Sequence, residues 1–233
     1  MTRALLGALA LAACGSSTTA PPPSPAPAPV VGKLVTSAEW MGPVREIRAT
    51  GIAVPVAEIR EVADAIGIPM SGTADIDISI DVPNAKPAQM TGHAHVTCTK
   101  CRLGGEHAKL HLGGSARANA FGGDGIEVGQ IDFGRIEVAV SVANGLAEID
   151  RWTVDSPDLA IEVTGRVELA DPIGASKVTG CIRFKPSATL DKTSPQAFAV
   201  LSITGAPRGE DGFFSIALEG RVDALRRLGK VCH

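Results

Sequence analysis

Residues 73–82 read Thr-Ala-Asp-Ile-Asp-Ile-Ser-Ile-Asp-Val, so that polar and apolar side chains alternate along the segment. Successive side chains of a β-strand point to opposite faces of the sheet. The isoleucines therefore share one face, and the aspartates and the serine share the other. This alternation is typical of a half-buried strand in an antiparallel sheet whose one face packs on a core.

Four further segments show the same period of two, and they span residues 136–142, 159–169, 178–184 and 214–222. Turn-forming pairs such as Asn144-Gly145 and Asp171-Pro172 separate them. Glycine recurs at or inside these segments, and glycine within a strand marks a bend or a close approach of two backbones. The pattern predicts a mainly β domain built on a curved antiparallel sheet.

Residues 56–66 have helical spacing instead, and they are the one such segment that the pattern indicates. Pro55 stands at the start of the segment and Gly67 just past its end, as expected of helix boundaries. The apolar residues that share one helical face are Val56, Ile59, Val62, Ala63 and Ile66. The sequence thus predicts one short amphipathic helix near the N-terminal end of the domain.

The composition limits the classes of partner. The chain has 233 residues, 45% of them apolar, which is enough to bury a core. Its formal net charge is −3 and it has no run of five basic residues, which argues against nucleic acid as a partner. Aromatic residues make up 3% of the chain, so platforms for stacking bases or sugars are scarce.

Residues 1–13 have the pattern of a secretory signal peptide, with a positive charge at Arg3 and an apolar stretch too short to span a bilayer. Leu11-Ala12-Ala13-Cys14 resembles the lipobox of bacterial lipoproteins. In those proteins the signal is cleaved before the cysteine, which is then acylated, and two or more acyl chains anchor a protein stably. The alternative is an apolar N-terminus with a buried cysteine.

Residues 14–32 follow as the lipidated cysteine and a proline-rich linker, and residues 33–233 form the β-rich domain. Six prolines between positions 21 and 29 favour an extended, semi-rigid spacer. Gly15, rather than aspartate, follows Cys14. By resemblance to enterobacterial sorting, this favours the outer membrane. We therefore expect a periplasmic protein that is held at a membrane by its lipid.

Four cysteines remain after Cys14, and an even number outside the cytoplasm favours disulfides. Four cysteines allow three connectivities, and we favour the one that joins Cys98 to Cys101 and Cys181 to Cys232. Residues three apart in a straight strand point to opposite faces, so the first pair requires a turn, for which the nearby glycines Gly104-Gly105 are suited. Metal binding and redox chemistry are the alternatives.

The histidines define a candidate metal site. A hairpin closed at Gly104-Gly105 would bring together four of them, which are zinc or copper ligands by type: His93, His95, His107 and His111. A solvated polar face explains the same pattern. The row Asp75, Asp77 and Asp81 suggests calcium less well, because carboxylates along a strand spread out rather than surround an ion.

The motifs of the common enzyme classes do not occur in the sequence: it has no nucleophile elbow, zincin helix or phosphate-binding loop. The expectation is a protein without enzymatic activity and without a cofactor.

Several short motifs occur in an order that resembles the type II secretion system protein N family (GspN), especially its delta-proteobacterial branch. The resemblance covers about residues 54–226. Its motifs are Ile66-Gly67-Ile68-Pro69, Ser71-Gly72-Thr73-Ala74-Asp75, Cys98-Thr99-Lys100-Cys101, Ile131-Asp132-Phe133-Gly134-Arg135-Ile136, Ser156-Pro157, Glu162-Val163-Thr164-Gly165, Asp171-Pro172, Arg183-Phe184-Lys185-Pro186 and Asp211-Gly212-Phe213-Phe214.

The resemblance implies an accessory or scaffold role in the machine that exports folded proteins across the outer membrane, with other subunits of that machine as partners. It also implies a domain similar to AsmA-like proteins, in which a twisted sheet forms a partly open, lipid-lined groove. Lipid is therefore a second candidate partner. Members of the family typically begin with a transmembrane helix and a longer N-terminal half, where this chain has Cys14 and a proline-rich spacer.

Overall fold

The computed structural model describes residues 30–59, 68–105, 108–110, 126–127, 129–202 and 205–232. Strands dominate this part of the chain. In chain order they are β1 (Val35–Met41), β2 (Val44–Pro55), β3 (Met70–Pro83), β4 (Thr91–Gly104), β5 (Lys109–Leu110), β6 (Ile126–Glu127), β7 (Gln130–Ala143), β8 (Leu146–Asp155), β9 (Leu159–Glu168), β10 (Lys177–Pro186), β11 (Phe214–Arg221) and β12 (Arg226–Leu228).

Ten of these strands form one open, antiparallel sheet in the order β1-β2-β3-β4-β7-β8-β9-β10-β11-β12. Each strand pairs with its neighbour along the chain, except that β4 pairs with β7. The short strands β5 and β6 pair with each other in a separate sheet. The prediction of a mainly β, open antiparallel sheet is confirmed, and the strongly alternating segment 73–82 lies within β3.

The hairpin expected at Gly104-Gly105 does not form. β4 pairs with β3 along one side and with β7 along the other, so neither side can accept the next strand along the chain. The described piece of that next segment, Lys109–Leu110, pairs with Ile126–Glu127 instead. The hairpin that would have brought the four histidines together is absent because β4 pairs with β7, and local turn signals do not report a pairing between segments so far apart in sequence.

The predicted helix over residues 56–66 lies partly outside the described residues. Its first three residues, Val56–Glu58, form one turn of 3-10 helix, and Ile59 after them is extended. Residues 60–67 are not described.

Two α-helices were missed by the sequence analysis, α1 (Ala188–Thr193) and α2 (Pro195–Ser202). Their local signals are Ser187, whose hydroxyl caps α1 by accepting the Leu190 N–H at 3.1 Å, and Pro195 at the first position of α2. Six and eight residues are too few for helical periodicity to stand out in a strand-rich sequence.

The two ends of the sheet differ, and both apolar core clusters lie at the same one. This end, here called the helix-covered end, is where β7, β9 and β11 begin and where β4, β8 and β10 finish. Leu190 and Ala197 of the two helices pack there on Ile131, Leu159 and Phe184 of the sheet. Leu190 is fully buried, and burial of such a side chain contributes about 2 kcal/mol to stability.

The second cluster of this end packs β2, β3 and β4 around the 3-10 turn. Its members are Val54, Val56, Ile59, Ala74, Cys98 and Cys101. At the opposite end, here called the open end, the strands are joined by tight turns such as Asn144-Gly145, where both residues have positive φ, as a two-residue hairpin requires.

Candidate functional site

The helix-covered end brings together motif residues that are far apart in sequence. The main-chain N–H of Asp132, at the start of β7, donates to the carboxylate of Asp158, in the turn between β8 and β9, at 2.8 Å. The carboxylate of Asp132 accepts the main-chain N–H of Gly134, two residues further along β7, at 2.7 Å. Asp158 is buried, at 8% exposure, so its bond to the Asp132 N–H is largely shielded from solvent.

Ser156 completes this turn. Its hydroxyl donates to the Asp132 carbonyl and accepts the N–H groups of Asp158 at 3.1 Å and Leu159 at 3.0 Å. The Asp158 carbonyl in turn accepts the Ser187 N–H at 2.9 Å, which ties the turn to the cap of α1. One short loop therefore holds β7, β9 and the helices together.

The close approach of β7 to the end of β8 requires a glycine at position 134. Gly134 has φ +56°, and a Cβ at this position would overlap the carbonyl oxygen of Asp155. The glycine of the Ile131–Ile136 motif thus has a geometric reason: it lets β7 pass the end of β8 at backbone contact.

Arg183 of β10 is the centre of a second group of contacts at the helix-covered end. Its guanidinium pairs with Glu162 of β9 and with Asp211 of the loop before β11, and it lies 4.7 Å from the ring centre of Phe213. Lys185 donates to the Asp211 carbonyl at 3.1 Å. These contacts hold the loop before β11 against the sheet, and the rings of Phe184 and Phe214 stack beneath it with centres 5.4 Å apart.

A polar cleft of about 630 Å³ opens between this turn and the helices, and its described walls include Gln130, Asp132, Asp158, Thr189, Ser194 and Gln196. The Ser194 hydroxyl accepts the Gln130 N–H at 3.2 Å. The Asp158 carboxylate and the Ser194 hydroxyl each accept a main-chain N–H of β7, so these two groups hold the β8–β9 turn and the helices to β7.

The apolar face of the sheet runs from the helix-covered end toward the open end. Ile76 of β3 is opposite Val96 of β4, which is opposite Val138 of β7, which is opposite Trp152 of β8. The row continues on later strands with Val163 opposite Ile182 and Ile182 opposite Ile216. All of these side chains are only half-buried, although they lie in the middle of the sheet.

This partial burial follows from where the helices sit. The described helices pack on residues at the strand ends, such as Leu159 and Phe184. Of the row, Ile216 lies against this cluster, and Ile76 lies against the cluster of β2, β3 and β4. A contiguous apolar surface of this kind marks a place where an apolar ligand or a partner binds. The apolar face is therefore the second candidate site.

The structure describes two of the four candidate histidines, and these two contact different carboxylates. His93 Nε2 lies 3.5 Å from the carboxylate of Asp77, and His95 Nε2 lies 3.5 Å from that of Glu137. Each exposed histidine of β4 thus faces a different carboxylate on the polar face. Within the described part of the chain, no group of three histidine, cysteine, aspartate or glutamate side chains could hold a metal ion. His107 and His111 lie outside the described residues.

The aspartate row of β3 also spreads along its strand. Asp75 accepts the Ala53 N–H at 2.8 Å, and Asp77 faces His93. These carboxylates do not converge on a common point.

Glu137 has the one clear pKa shift among the described groups. Arg151 donates a hydrogen bond to it at 2.6 Å and holds the pKa of this carboxyl below its ordinary value of 4.5, with smaller contributions from His95 and Arg135. Partial burial acts in the opposite direction. The shift therefore reports an ion-pair network on the polar face.

The cysteines pair as Cys98–Cys101 and Cys181–Cys232, the two pairs favoured above, with Cα atoms 5.9 Å apart in each. The turn that the first pair needs is a bulge inside β4, where Lys100 has φ +53° and the register with β7 shifts on both sides of Cys101. It is not the Gly104-Gly105 pair. Cys181 lies on the polar face, where Cys232 attaches the C-terminal segment to β10.

Cys14 and the linker up to residue 29 lie outside the described residues. In the described part of the chain, no helix has both the length and the hydropathy needed to cross a bilayer. Comparison of the chain with protein-family models, with curated proteins and with solved structures finds no match.

Proposed function

We propose that the protein is a non-enzymatic envelope lipoprotein that acts as an accessory or scaffold component of type II protein secretion. The observation that carries this proposal is the meeting of the resembling motifs at the helix-covered end. Two groups of contacts form there: Ser156 bonds to Asp132, and Arg183 pairs with Glu162 and Asp211, so residues of five motifs take part.

The chemistry of the cluster supports a scaffold rather than a catalyst. Arg183 is paired with two carboxylates, and Asp158 and Ser156 bond to backbone groups of β7 and β9. Groups engaged in this way fix loop positions and are not poised for proton transfer. A rigid end of a sheet, with defined loops, is a suitable surface for docking other subunits.

The anchor is part of the same proposal. Acylation of Cys14 would hold the domain at the periplasmic side of a membrane, with the outer membrane favoured, and residues 15–29 would let it reach outward. The linker was expected to run to residue 32, but Val31 and Gly32 already pair with Ile52 of β2. A proline-rich spacer of 15 residues extends about 3 Å per residue, or roughly 45 Å in all.

A deletion strain tests the secretion role. We expect the exported enzymes of the type II pathway to accumulate in the periplasm, and affinity purification of the full-length protein to recover subunits of the secretion machine. Plasmid-borne wild-type protein should restore export. Proteins that only reach the periplasm provide the control, since their level should not change. Normal export in the deletion strain would contradict the proposal.

A second candidate function, binding of lipid acyl chains in an AsmA-like manner, is favoured by the half-buried apolar face. A sheet of ten strands spaced about 4.8 Å apart offers a surface more than 40 Å wide. Trp152 lies in this face, opposite Val138, and its indole N–H is buried without an acceptor among the described residues.

Trp152 also provides the measurement. The chain has two tryptophans, so Trp40→Phe leaves Trp152 as the sole tryptophan reporter. We expect phospholipid with brominated acyl chains to quench its fluorescence, and the same lipid without bromine to leave it unquenched. Ala94→Lys, which places a charge in the apolar face, should abolish quenching. Ala160→Lys, on the exposed side of β9, is the matched control and should not.

Equal fluorescence with brominated and unbrominated lipid would contradict lipid binding at this face, whatever the outcome of the secretion experiment. The two candidates are thus tested separately.

A further inference from the structure

The two edges of the large sheet are built differently. At one edge, β12 has three residues, covers only Ala217–Glu219 of β11, and carries Arg226 and Arg227. Short edge strands with positive charges are a common way in which proteins prevent another strand from adding to a sheet. The opposite edge, β1, is neither short nor positively charged.

β1 has seven residues, Val-Thr-Ser-Ala-Glu-Trp-Met, with Glu39 as the one charge and with no lysine, arginine, proline or glycine. It pairs with β2 along its whole length, from Val35 opposite Thr50 to Met41 opposite Val44, without a shift in register. None of the described residues pairs with its outer side. A regular strand with an unpaired row of N–H and C=O groups is a template for one more strand.

We propose that the outer side of β1 pairs in antiparallel register with β1 of a second copy of this chain. The pairing is centred on Ala38, which lies opposite its own copy across a twofold axis. Thr36 then faces Trp40, Ser37 faces Glu39, and Val35 faces Met41. This inference is independent of the role in secretion and of lipid binding.

The residues of β1 select both the partner and the register. A centre at Ala38 uses all seven residues, and any other centre leaves at least two of them unpaired. A centre at Glu39 would in addition place two carboxylates directly opposite each other, which is unfavourable. In the Ala38 register, each Glu39 lies opposite Ser37, whose hydroxyl can donate a hydrogen bond to the carboxylate, and the two carboxylates are kept apart.

The same register continues the faces of the sheet. Ala38 lies beside Ile47 of β2, which lies beside Ile80 of β3 on the apolar face. Because the twofold axis is perpendicular to the sheet, the apolar faces of the two copies lie on the same side. The pair of copies therefore presents one continuous apolar face.

The contact is small, so the dimer is expected to be reversible, with a dissociation constant on the order of micromolar. Tethering of both copies to one membrane would raise their effective concentration and favour the pair.

Sedimentation velocity on the full-length protein with Cys14→Ser, which removes the anchor, measures the pairing. We expect a concentration-dependent shift from monomer to dimer. Adding Ala38→Lys or Ala38→Glu to that chain places two like charges across the axis, and each variant alone should remain monomeric at concentrations where the parent dimerises. Mixing the two variants places opposite charges across the axis and should restore dimers.

The mixture separates loss of pairing from loss of folding, because an unfolded variant could not be rescued by its counterpart. Ala160→Lys, an exposed alanine in the interior strand β9, should dimerise like the parent. A parent protein that stays monomeric up to millimolar concentration would overturn the proposal. So would a dimer that Ala38→Lys and Ala38→Glu leave unchanged, since that dimer would use another surface.

Discussion

The carboxylate of Asp158 accepts the main-chain N–H of Asp132 at 2.8 Å, and this bond joins the β8–β9 turn to the start of β7 across 26 positions of sequence. Through the Asp158 carbonyl, which accepts the Ser187 N–H, the same turn is linked to α1. A single buried aspartate thus connects the sheet to the helices at the end where the motifs meet.

Asp158→Ala is expected to lower the free energy of unfolding by about 1–3 kcal/mol, because it leaves a buried N–H without its acceptor. Asp158→Asn keeps an acceptor oxygen and should cost less. Urea denaturation followed by circular dichroism measures both changes. Glu148→Ala, at an exposed position of β8, is the control and should change stability by no more than about 0.5 kcal/mol. Equal effects of the alanine and asparagine variants would contradict the role of the acceptor.

The lowered pKa of Glu137 predicts a pH-dependent contribution to stability. A carboxyl whose pKa is lower in the folded than in the unfolded state stabilises the fold above the unfolded pKa, and the contribution is lost as pH falls through the folded pKa. Glu137→Gln should therefore be less stable than wild type at pH 7, and the two should converge at pH values well below 4.5. Thermal unfolding at a series of pH values measures this.

Arg151→Met tests the cause, since the Arg151 hydrogen bond is the largest contribution to the shift. In that background, Glu137→Gln should have a smaller effect at pH 7. A difference between wild type and Glu137→Gln that does not change with pH would show that the carboxylate charge is not responsible.

The Cys181–Cys232 disulfide closes a loop with a sequence separation of 51, and it attaches the C-terminal segment to β10. The loop-entropy model assigns a closure of this size about 4 kcal/mol. Replacing both cysteines with alanine should lower stability by an amount of this order, measured by urea denaturation without reductant. A loss below about 1 kcal/mol would mean that the unfolded chain is not restrained by this bridge.

Cys14→Ser is expected to move the protein from the membrane fraction to the soluble periplasmic fraction, because it removes the proposed site of acylation. Fractionation of cells with an antibody against the domain measures this. Ser16→Ala, two residues beyond, is the control and should leave the protein in the membrane fraction. Retention of the Cys14→Ser protein there would contradict lipid anchorage.

The alternation of side chains allowed much of the sheet to be predicted. Segment 159–169 was expected as a strand and is observed as β9, Leu159–Glu168, with the expected apolar face. A period of two is a local property, and burial of one face is enough to impose it. The helices α1 and α2 were not predicted, because their stability comes from the packing of Leu190 and Ala197 on the sheet rather than from a periodic sequence.

The motif residues at the helix-covered end could be predicted as a set, but their arrangement as a site could not. Nothing local to Arg183 indicates that Glu162 and Asp211 both pair with it. In the same way, His93 and His95 were correctly placed on one strand face, but their carboxylate neighbours come from β3 and β7, and those neighbours depend on strand order.

By itself, the sequence determined which side chains share a face of each strand, because the pleat of a strand alternates them whatever the neighbours are. It did not determine that β4 lies beside β7, that the helices cover one end of the sheet, or that none of the described residues pairs with the outer side of β1. Those outcomes depend on hydrogen bonds and contacts between distant segments. Their free energy is a property of the assembled chain, and no short stretch of residues carries it.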